Sequence, residues 1–301
     1  MAAEYLKASS VIDDLEIVSI YSRNNKTAAS LADSYKTLSI AAGVDDFAKL
    51  ELDFLIVCVP ELATAGIIYE FSKLNIPMLV EKPVGLTLTD AIAIESYAKN
   101  KGLPIFAALN RRFYGSSIRV LNEITSTSGK RFIQVSDQEN TIAALEAGQP
   151  IKVVDNWMFA NSIHIIDYIS VICRGEPTIL HKSIIPLSEV SKVVHVSISF
   201  TSGDEAVYTC YWNIPGGWSV NISTAAKTWQ LSPLEKSRVR ELGDRNYTEF
   251  DSDNLDLLYK PGLVRMLYEV QKCIAGQSHS LTTLSNANRT MRLIDMIYSN
   301  E

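Results

Sequence analysis

Leu79-Val80-Glu81-Lys82-Pro83 is the stretch on which the reading of this chain turns. The apolar run from Ile76 to Val80 has the unbroken character of a buried parallel strand. It ends in a charged pair, and lysine and glutamate are seldom fully buried unless paired. At the carboxyl end of such a strand, charges face the crevice in which open α/β sheets bind ligands. Pro83 lacks an N–H and disfavours helix for Lys82, so the chain leaves the sheet there. By themselves the five residues fit an ordinary strand end with solvated charges equally well. Their surroundings decide.

On either side, strands and helices alternate. Glu4–Ser9 has the pattern of the tail of a helix, and Leu15–Tyr21 that of a strand ending in Ser22-Arg23-Asn24. A helix over Lys26–Tyr35, a short strand at Leu38–Ile40, a strongly apolar strand over Leu52–Pro60 and a helix over Ala63–Leu74 follow. After the Glu81-Lys82 strand come a helix over Asp90–Lys101, closed by Gly102, and a strand over Pro104–Leu109 that runs into Asn110-Arg111-Arg112. Such alternation predicts a parallel, doubly wound sheet.

Beyond residue 109 the pattern changes. Strand-like stretches dominate at Arg131–Asp137, Ile179–Leu187, Val193–Thr201, Ala206–Trp212, Trp218–Thr224 and Lys227–Leu231. Val194, Val196, Ile198 and Phe200 alternate with Val193, His195, Ser197 and Ser199, as in a sheet with one face buried. Helices over Gly262–Ala275 and Leu284–Ser299 close the chain. The predicted organisation is an α/β domain over 1–109 and an α+β domain over 110–301 with a large, open, mainly antiparallel sheet. Large apolar faces are usually covered, so a homodimer or homotetramer through that sheet is expected.

Composition narrows the function. The 301 residues carry a net charge of -6, which argues against a nucleic-acid partner. No apolar run reaches the roughly 18 residues of a membrane span, and Met1–Ser9 lacks the pattern of a signal peptide. Cys58, Cys173, Cys210 and Cys273 lie far apart in apolar surroundings, as free thiols of a reducing cytoplasm do. The spacing of the four histidines gives no metal site. A soluble, cytoplasmic protein with a small-molecule ligand is the expectation.

A second polar cluster lies on the predicted helix Asn161–Cys173, which Gly175 and Pro177 stop. At helical spacing Ala160, His164, Asp167, Tyr168 and Val171 share one face, and the remaining faces are apolar. A helix buried nearly all round must give its polar stripe partners or a wet cavity. A lone helical histidine is more often structural. One sharing its stripe with aspartate and tyrosine is better placed for proton transfer.

The ordered set of Val59-Pro60, Glu81-Lys82-Pro83, Asn110-Arg111-Arg112 and Ser162-Ile163-His164-Ile165-Ile166-Asp167 resembles the Gfo/Idh/MocA oxidoreductases (glucose-fructose oxidoreductase, inositol dehydrogenase and rhizopine-catabolism proteins). The resemblance spans nearly the whole chain. It implies a Rossmann-like first domain, NADP or NAD as cofactor, and hydride exchange with a sugar, sugar nucleotide or polyol. By that resemblance Lys82 and His164 are catalytic stations of one proton relay. Ser22, Arg23, Val59, Pro60, Glu81, Lys82 and Asn110 would face the cofactor, and Lys82, Arg112, Tyr114, Asn161, His164 and Tyr168 the substrate. Tyr114 and Tyr168 are equally readable as packing residues. Burial would pull the Lys82 pKa down while Glu81 opposes that shift. Ser22-Arg23 stands where many relatives carry an acid for the ribose hydroxyls. An arginine there suits the 2′-phosphate of NADP, or is simply an exposed turn residue.

Two departures from the family pattern stand out. No glycine precedes Gly43, so the first strand and the GxGxxG turn before the first helix are missing from this sequence. The lost strand would be central in the sheet, and its neighbours would be left with unpaired edges. Either the true start lies upstream, which the intact later motifs favour, or the chain is a cofactor-deficient relative acting as an interaction protein. Second, Ala160 stands where many relatives have an aspartate one turn before the histidine; Asn161 and Asp155 are the nearest polar substitutes.

Overall fold

A computed structural model describes residues 1–35 and 39–299. The first part comprises α1 (Ala2–Ser9), β1 (Ser19–Tyr21), α2 (Asn25–Ser34), β2 (Ser39–Ala41), α3 (Val44–Phe47), β3 (Leu55–Val57), α4 (Thr64–Phe71), β4 (Met78–Glu81), α5 (Leu88–Lys101) and β5 (Ile105–Ala108). It continues through α6 (Gly115–Thr125), β6 (Phe132–Glu139), α7 (Thr141–Glu146), α8 (Ile151–Val154), α9 (Ile163–Ile172), β7 (Pro177–Pro186), β8 (Lys192–Phe200) and β9 (Glu205–Trp212). Last come β10 (Ser219–Ser223), β11 (Lys227–Leu231), β12 (Ser237–Glu241), β13 (Thr248–Phe250), α10 (Asn254–Leu258), α11 (Leu263–Ile274), β14 (Thr282–Thr283) and α12 (Leu284–Tyr298). The predicted alternation of strands and helices is present, with shorter strands than the apolar runs suggested. Leu38, expected to open a strand, lies outside the described residues; Ser39–Ala41 forms β2.

β3, β4 and β5 pair in parallel, Leu55 opposite Met78 and Val80 opposite Ala107. Met78, Leu79 and Val80 are inaccessible to solvent, so this strand is apolar on both faces because helices cover both. Each such side chain stabilises the fold by about 1.5–3 kcal/mol. β1 pairs only with β2, Ile20 opposite Ile40. Among the described residues no strand pairs with the other edge of β1 or of β3. Yet Tyr21, Leu55, Val57 and Phe71 belong to one apolar core. The parallel sheet is therefore in two pieces, with the unpaired edges expected of two strands that lack a central neighbour.

The second sheet is eight-stranded, in the order β13-β12-β11-β10-β6-β9-β8-β7. Its pairings are antiparallel except for β6 with β9. Val194, Val196, Ile198 and Phe200 are buried on the side that α6, α9 and α12 cover, while Val193, His195, Ser197 and Ser199 are half-buried on the other.

The carboxyl-terminal segment returns to the first sheet, which a linear boundary does not convey. Thr282 and Thr283 of β14 pair antiparallel with Ala107 and Phe106 of β5. Leu263, Met266 and Leu267 of α11 share a core with Tyr5, Leu79 and Phe106. No helix among the described residues is long and apolar enough to cross a membrane.

Candidate active site

The exit from β4 is built to hold Lys82. After a cis Lys82–Pro83 peptide, Gly85 passes so close to α5 that a Cβ there would lie 2.5 Å from the Ala91 nitrogen. The next residue, Leu86, packs with Val153 and Ala160 in a small apolar cluster. That cluster docks the loop against the second domain, and Lys82 Nζ donates a 2.7 Å hydrogen bond to the Ala160 carbonyl. This bond uses one of the ammonium's three donors. Burial pulls the Lys82 pKa down to about 8; Glu81 opposes the shift and the Arg111 charge adds to it. Glu81 is itself pushed up by burial, against a 2.8 Å hydrogen bond from the Tyr5 hydroxyl and the Lys82 charge.

The helix expected over Asn161–Cys173 begins differently. Met158–Ser162 forms a π turn, and α9 starts at Ile163. Every residue of α9 except Val171 is buried, as the apolar periodicity required. The polar stripe divides among three surroundings. Asp167 accepts from Arg112 Nε at 2.6 Å, Arg112 Nη2 at 2.7 Å and Thr290 Oγ1 at 2.7 Å. The Tyr168 hydroxyl lies 2.7 Å from Ser117 Oγ. His164 faces Trp218, with ring centroids 6.4 Å apart, and the Arg111 guanidinium lies 4.6 Å from the Trp218 ring centroid.

His164 Nδ1 is buried with no hydrogen-bond partner. Burial, reinforced by the charges of Lys82, Arg111 and Lys260, holds its pKa well below the usual imidazole range. The ring is therefore neutral at pH 7 and able to take a proton. Lys82 and His164, separated by most of a domain in sequence, lie close enough for the charge of one to act on the other.

The other predicted site residues divide. Asn161 lies beside this cluster, but its amide donates to Glu139 at 2.8 and 3.1 Å. Arg112, read as a substrate ligand, has its side chain committed to the buried pair with Asp167. Tyr114 and Tyr168 are both 5% exposed, and each is packed in the main core. Asn110 donates to the Pro261 carbonyl at 3.0 Å. The next residue, Gly262, has φ +78, and a Cβ on it would come within 2.2 Å of the Asn110 carbonyl, so this approach requires glycine. Ser22-Arg23 follows β1 and Val59-Pro60 follows β3; Arg23 and Pro60 are exposed.

Sequence reasoning passed over Arg111, Trp218, Lys260 and Glu139. Arg111 enters the sequence reading only as the middle of the Asn110-Arg111-Arg112 motif, with no role of its own. Glu139 lies two residues beyond the predicted end of its strand.

A nicotinamide cofactor fits these residues in part. The carboxyl ends of β1, β3 and β4 present Ser22-Arg23, Val59-Pro60 and Glu81-Lys82. The unpartnered His164 nitrogen and the spare Lys82 donors suit a reacting oxygen. The glycine turn that would face a pyrophosphate has no counterpart before Gly43. A groove of about 890 Å³ lies elsewhere, between α6 and α11. Arg112, Arg265, Glu269 and Lys272, which line it, are already engaged in ion pairs.

Comparison with known proteins bears on the fold. Residues 1–109 match the GFO_IDH_MocA family model, an oxidoreductase family with an NAD-binding Rossmann fold. No curated protein is similar enough in sequence to count as a match. Among solved structures, a dehydrogenase from Chromobacterium violaceum superposes with a TM-score of 0.84 at 17% identity, covering 98% of this chain and 90% of the other. A UDP-N-acetylglucosamine 3-dehydrogenase from Acidithiobacillus ferrooxidans gives 0.78 at 13% identity, covering 98% and 92%. An oxidoreductase from Agrobacterium radiobacter in complex with NAD+, L-tartaric acid and magnesium gives 0.74 at 15% identity, covering 98% and 91%. The family match covers the first 109 of the 301 residues, and the likeness to the solved structures over nearly the whole chain is a likeness of fold.

Proposed function

We propose that this chain is an oxidoreductase of the Gfo/Idh/MocA type that exchanges a hydride between NAD(P) and a secondary alcohol or ketone of a sugar, sugar nucleotide or polyol, with Lys82 and His164 handling the accompanying proton. The observation that carries the reading is the meeting of two perturbed bases from different domains. Lys82 is anchored on the Ala160 carbonyl at 2.7 Å, one helical turn before the buried, unpartnered His164. When bound, the nicotinamide supplies the two-electron acceptor or donor. In the oxidising direction the carbinol carbon loses hydride and the hydroxyl loses its proton, and the chain must receive that proton. A neutral Lys82 amine can take it directly, and neutral His164 is the second acceptor. In the reducing direction the Lys82 ammonium donates to the developing alkoxide. Both groups act on one proton, so they are stations of a single relay.

The charges of Lys82, Arg111 and Lys260 converge on His164. Such a cationic pocket suits a substrate bearing negative charge, and the Acidithiobacillus ferrooxidans neighbour, a UDP-N-acetylglucosamine 3-dehydrogenase, is consistent with that. Nicotinamide fluorescence on titration with NADPH and NADH, followed by turnover assays with UDP-N-acetylglucosamine and with myo-inositol, tests the reading. If neither nucleotide binds, the reading fails, and a scaffold or interaction protein takes its place.

NADP is the favoured cofactor on the strength of Ser22-Arg23 at the end of β1. NADPH should bind more tightly than NADH, and Arg23→Ala should weaken NADPH about tenfold, the worth of one charge-assisted hydrogen bond. Tighter binding of NADH by the unaltered protein would reverse that preference. We further infer that the outer face of the eight-stranded sheet, with Val193 and Tyr211 half-buried on it, joins copies of the chain as a dimer or tetramer. Light scattering at micromolar concentration should report at least twice the 33.4 kDa chain mass, and a monomer would refute it.

A further inference from the structure

We propose that Asp137 and Glu139 form one carboxyl pair sharing a single proton, and that this pair is the positioning unit for Lys82 and His164. The roles of those two bases rest on the function proposed above; the pair itself does not.

On β6 the inward positions are Ile133, Val135, Asp137 and Glu139, all buried. Two acids thus stand where the strand's alternation calls for apolar side chains. Among the described residues neither makes a salt bridge, and Asp137 is fully inaccessible. Two ionised carboxylates side by side in such a layer would be costly; one shared proton removes most of that cost.

The hydrogen bonds fit a shared proton. Asp137 Oδ2 accepts from the Tyr208 hydroxyl at 2.6 Å, while Asp137 Oδ1 is buried with no donor. Asp137 and Glu139 are within hydrogen-bonding reach of each other. A carboxyl proton on Glu139 fills the vacancy on Oδ1, with the Ser162 hydroxyl and the Cys210 thiol as the other donors near Asp137. Burial pushes both acids up, Glu139 to about 8. The titratable groups facing them are Tyr208 and Cys210 of β9, Tyr298 of α12, and Lys82 and Arg111 across the crevice.

Glu139 also clamps the π turn. Its oxygens accept from Trp157 Nε1 at 2.6 Å, from Asn161 Nδ2 at 2.8 Å and from Ser162 Oγ at 3.1 Å. This turn carries the Ala160 carbonyl that holds Lys82 and leads directly into the first turn of α9, where His164 sits. π turns are common at functional sites, and here two side chains of one, Asn161 and Ser162, and Trp157 just before it are tied to a single acid. Glu139 also contributes negative charge that raises the Lys82 pKa.

Three measurements test the proposal. Infrared difference spectra at pH 7 between the wild type and Glu139→Gln should show loss of a protonated-carboxyl band, because the glutamine amide supplies the donor for Asp137. An unchanged carboxyl region would overturn the shared proton. Competitive labelling of Lys82 should report a lower pKa in Glu139→Ala, where the charge and clamp of Glu139 are gone; an unshifted Lys82 would overturn the link to the site. Both hold whether or not the protein turns over a sugar. Where turnover is measurable, Glu139→Gln should keep kcat within about threefold, and Glu139→Ala should lose about ten- to a hundredfold with NADPH affinity unchanged. Equal losses in the two variants, or none in the alanine variant, would overturn the positioning role.

Discussion

Replacing Lys82 by methionine should lower kcat by about 10²–10⁴-fold while leaving NADPH affinity within a small factor. Methionine preserves the length and apolar stem, so the cluster of Leu86, Val153 and Ala160 around the loop stays filled. What disappears is the proton-handling head group. The pH profile of the unaltered protein follows from a Lys82 pKa of about 8. Ketone reduction needs the ammonium and should decline as pH rises through that value. Alcohol oxidation needs the free amine and should rise over the same interval. His164 stays neutral throughout, since its pKa lies well below the usual range, and adds no limb near neutrality. Wild-type kcat in Lys82→Met, or two directions with the same pH trend, would remove Lys82 from the chemistry.

Asp167→Ala should cost about 3–5 kcal/mol of stability, the usual effect of deleting one member of a buried ion pair. Arg112 would keep its charge in a site where its side chain is 18% exposed and its bidentate acceptor is gone. Thr290, fully buried on α12, would lose its acceptor at the same time. Replacing both partners together, Arg112→Met with Asp167→Leu, should recover much of the loss because no orphan charge remains. Urea unfolding midpoints measure both effects. A shift in Asp167→Ala of less than about 1 kcal/mol would show that water reaches and solvates Arg112 readily.

The features most legible in the sequence were those with a strong period. β4, with Met78, Leu79 and Val80 inaccessible, could hardly be anything but a covered parallel strand. The alternation in β8 gave the inner face of the large sheet residue by residue. α9 was readable as a buried helix because isoleucines recur on all sides of it. Side-chain partners across domains were less accessible. Arg111 and Arg112 are adjacent and chemically identical, yet one stacks on Trp218 and the other is locked to Asp167. Only the short 3-10 turn at Asn110–Phe113 separates their directions, and no local pattern foretells it.

Glu139 was missed for a different reason. The inward series Ile133, Val135, Asp137 would have included it had the strand been extended two residues, but acids at inward positions look like a strand's end. The π turn at Met158–Ser162 has no compositional marker, so the expected helix starts inside it, at Asn161. β12, β13 and β14 are short, polar or both, and tertiary pairing alone makes them strands.

The late return of β14 to β5 bears on how the polypeptide is made. Thr282 can meet Ala107 only after most of the chain has left the ribosome. Until then Leu79 and Phe106 lack the cover that Leu263, Met266 and Leu267 provide. The nascent first lobe must wait, greasy and unfinished, through synthesis of the entire large sheet. A fragment stopped at residue 109 should behave as that stalled intermediate does, needing a chaperone to stay in solution.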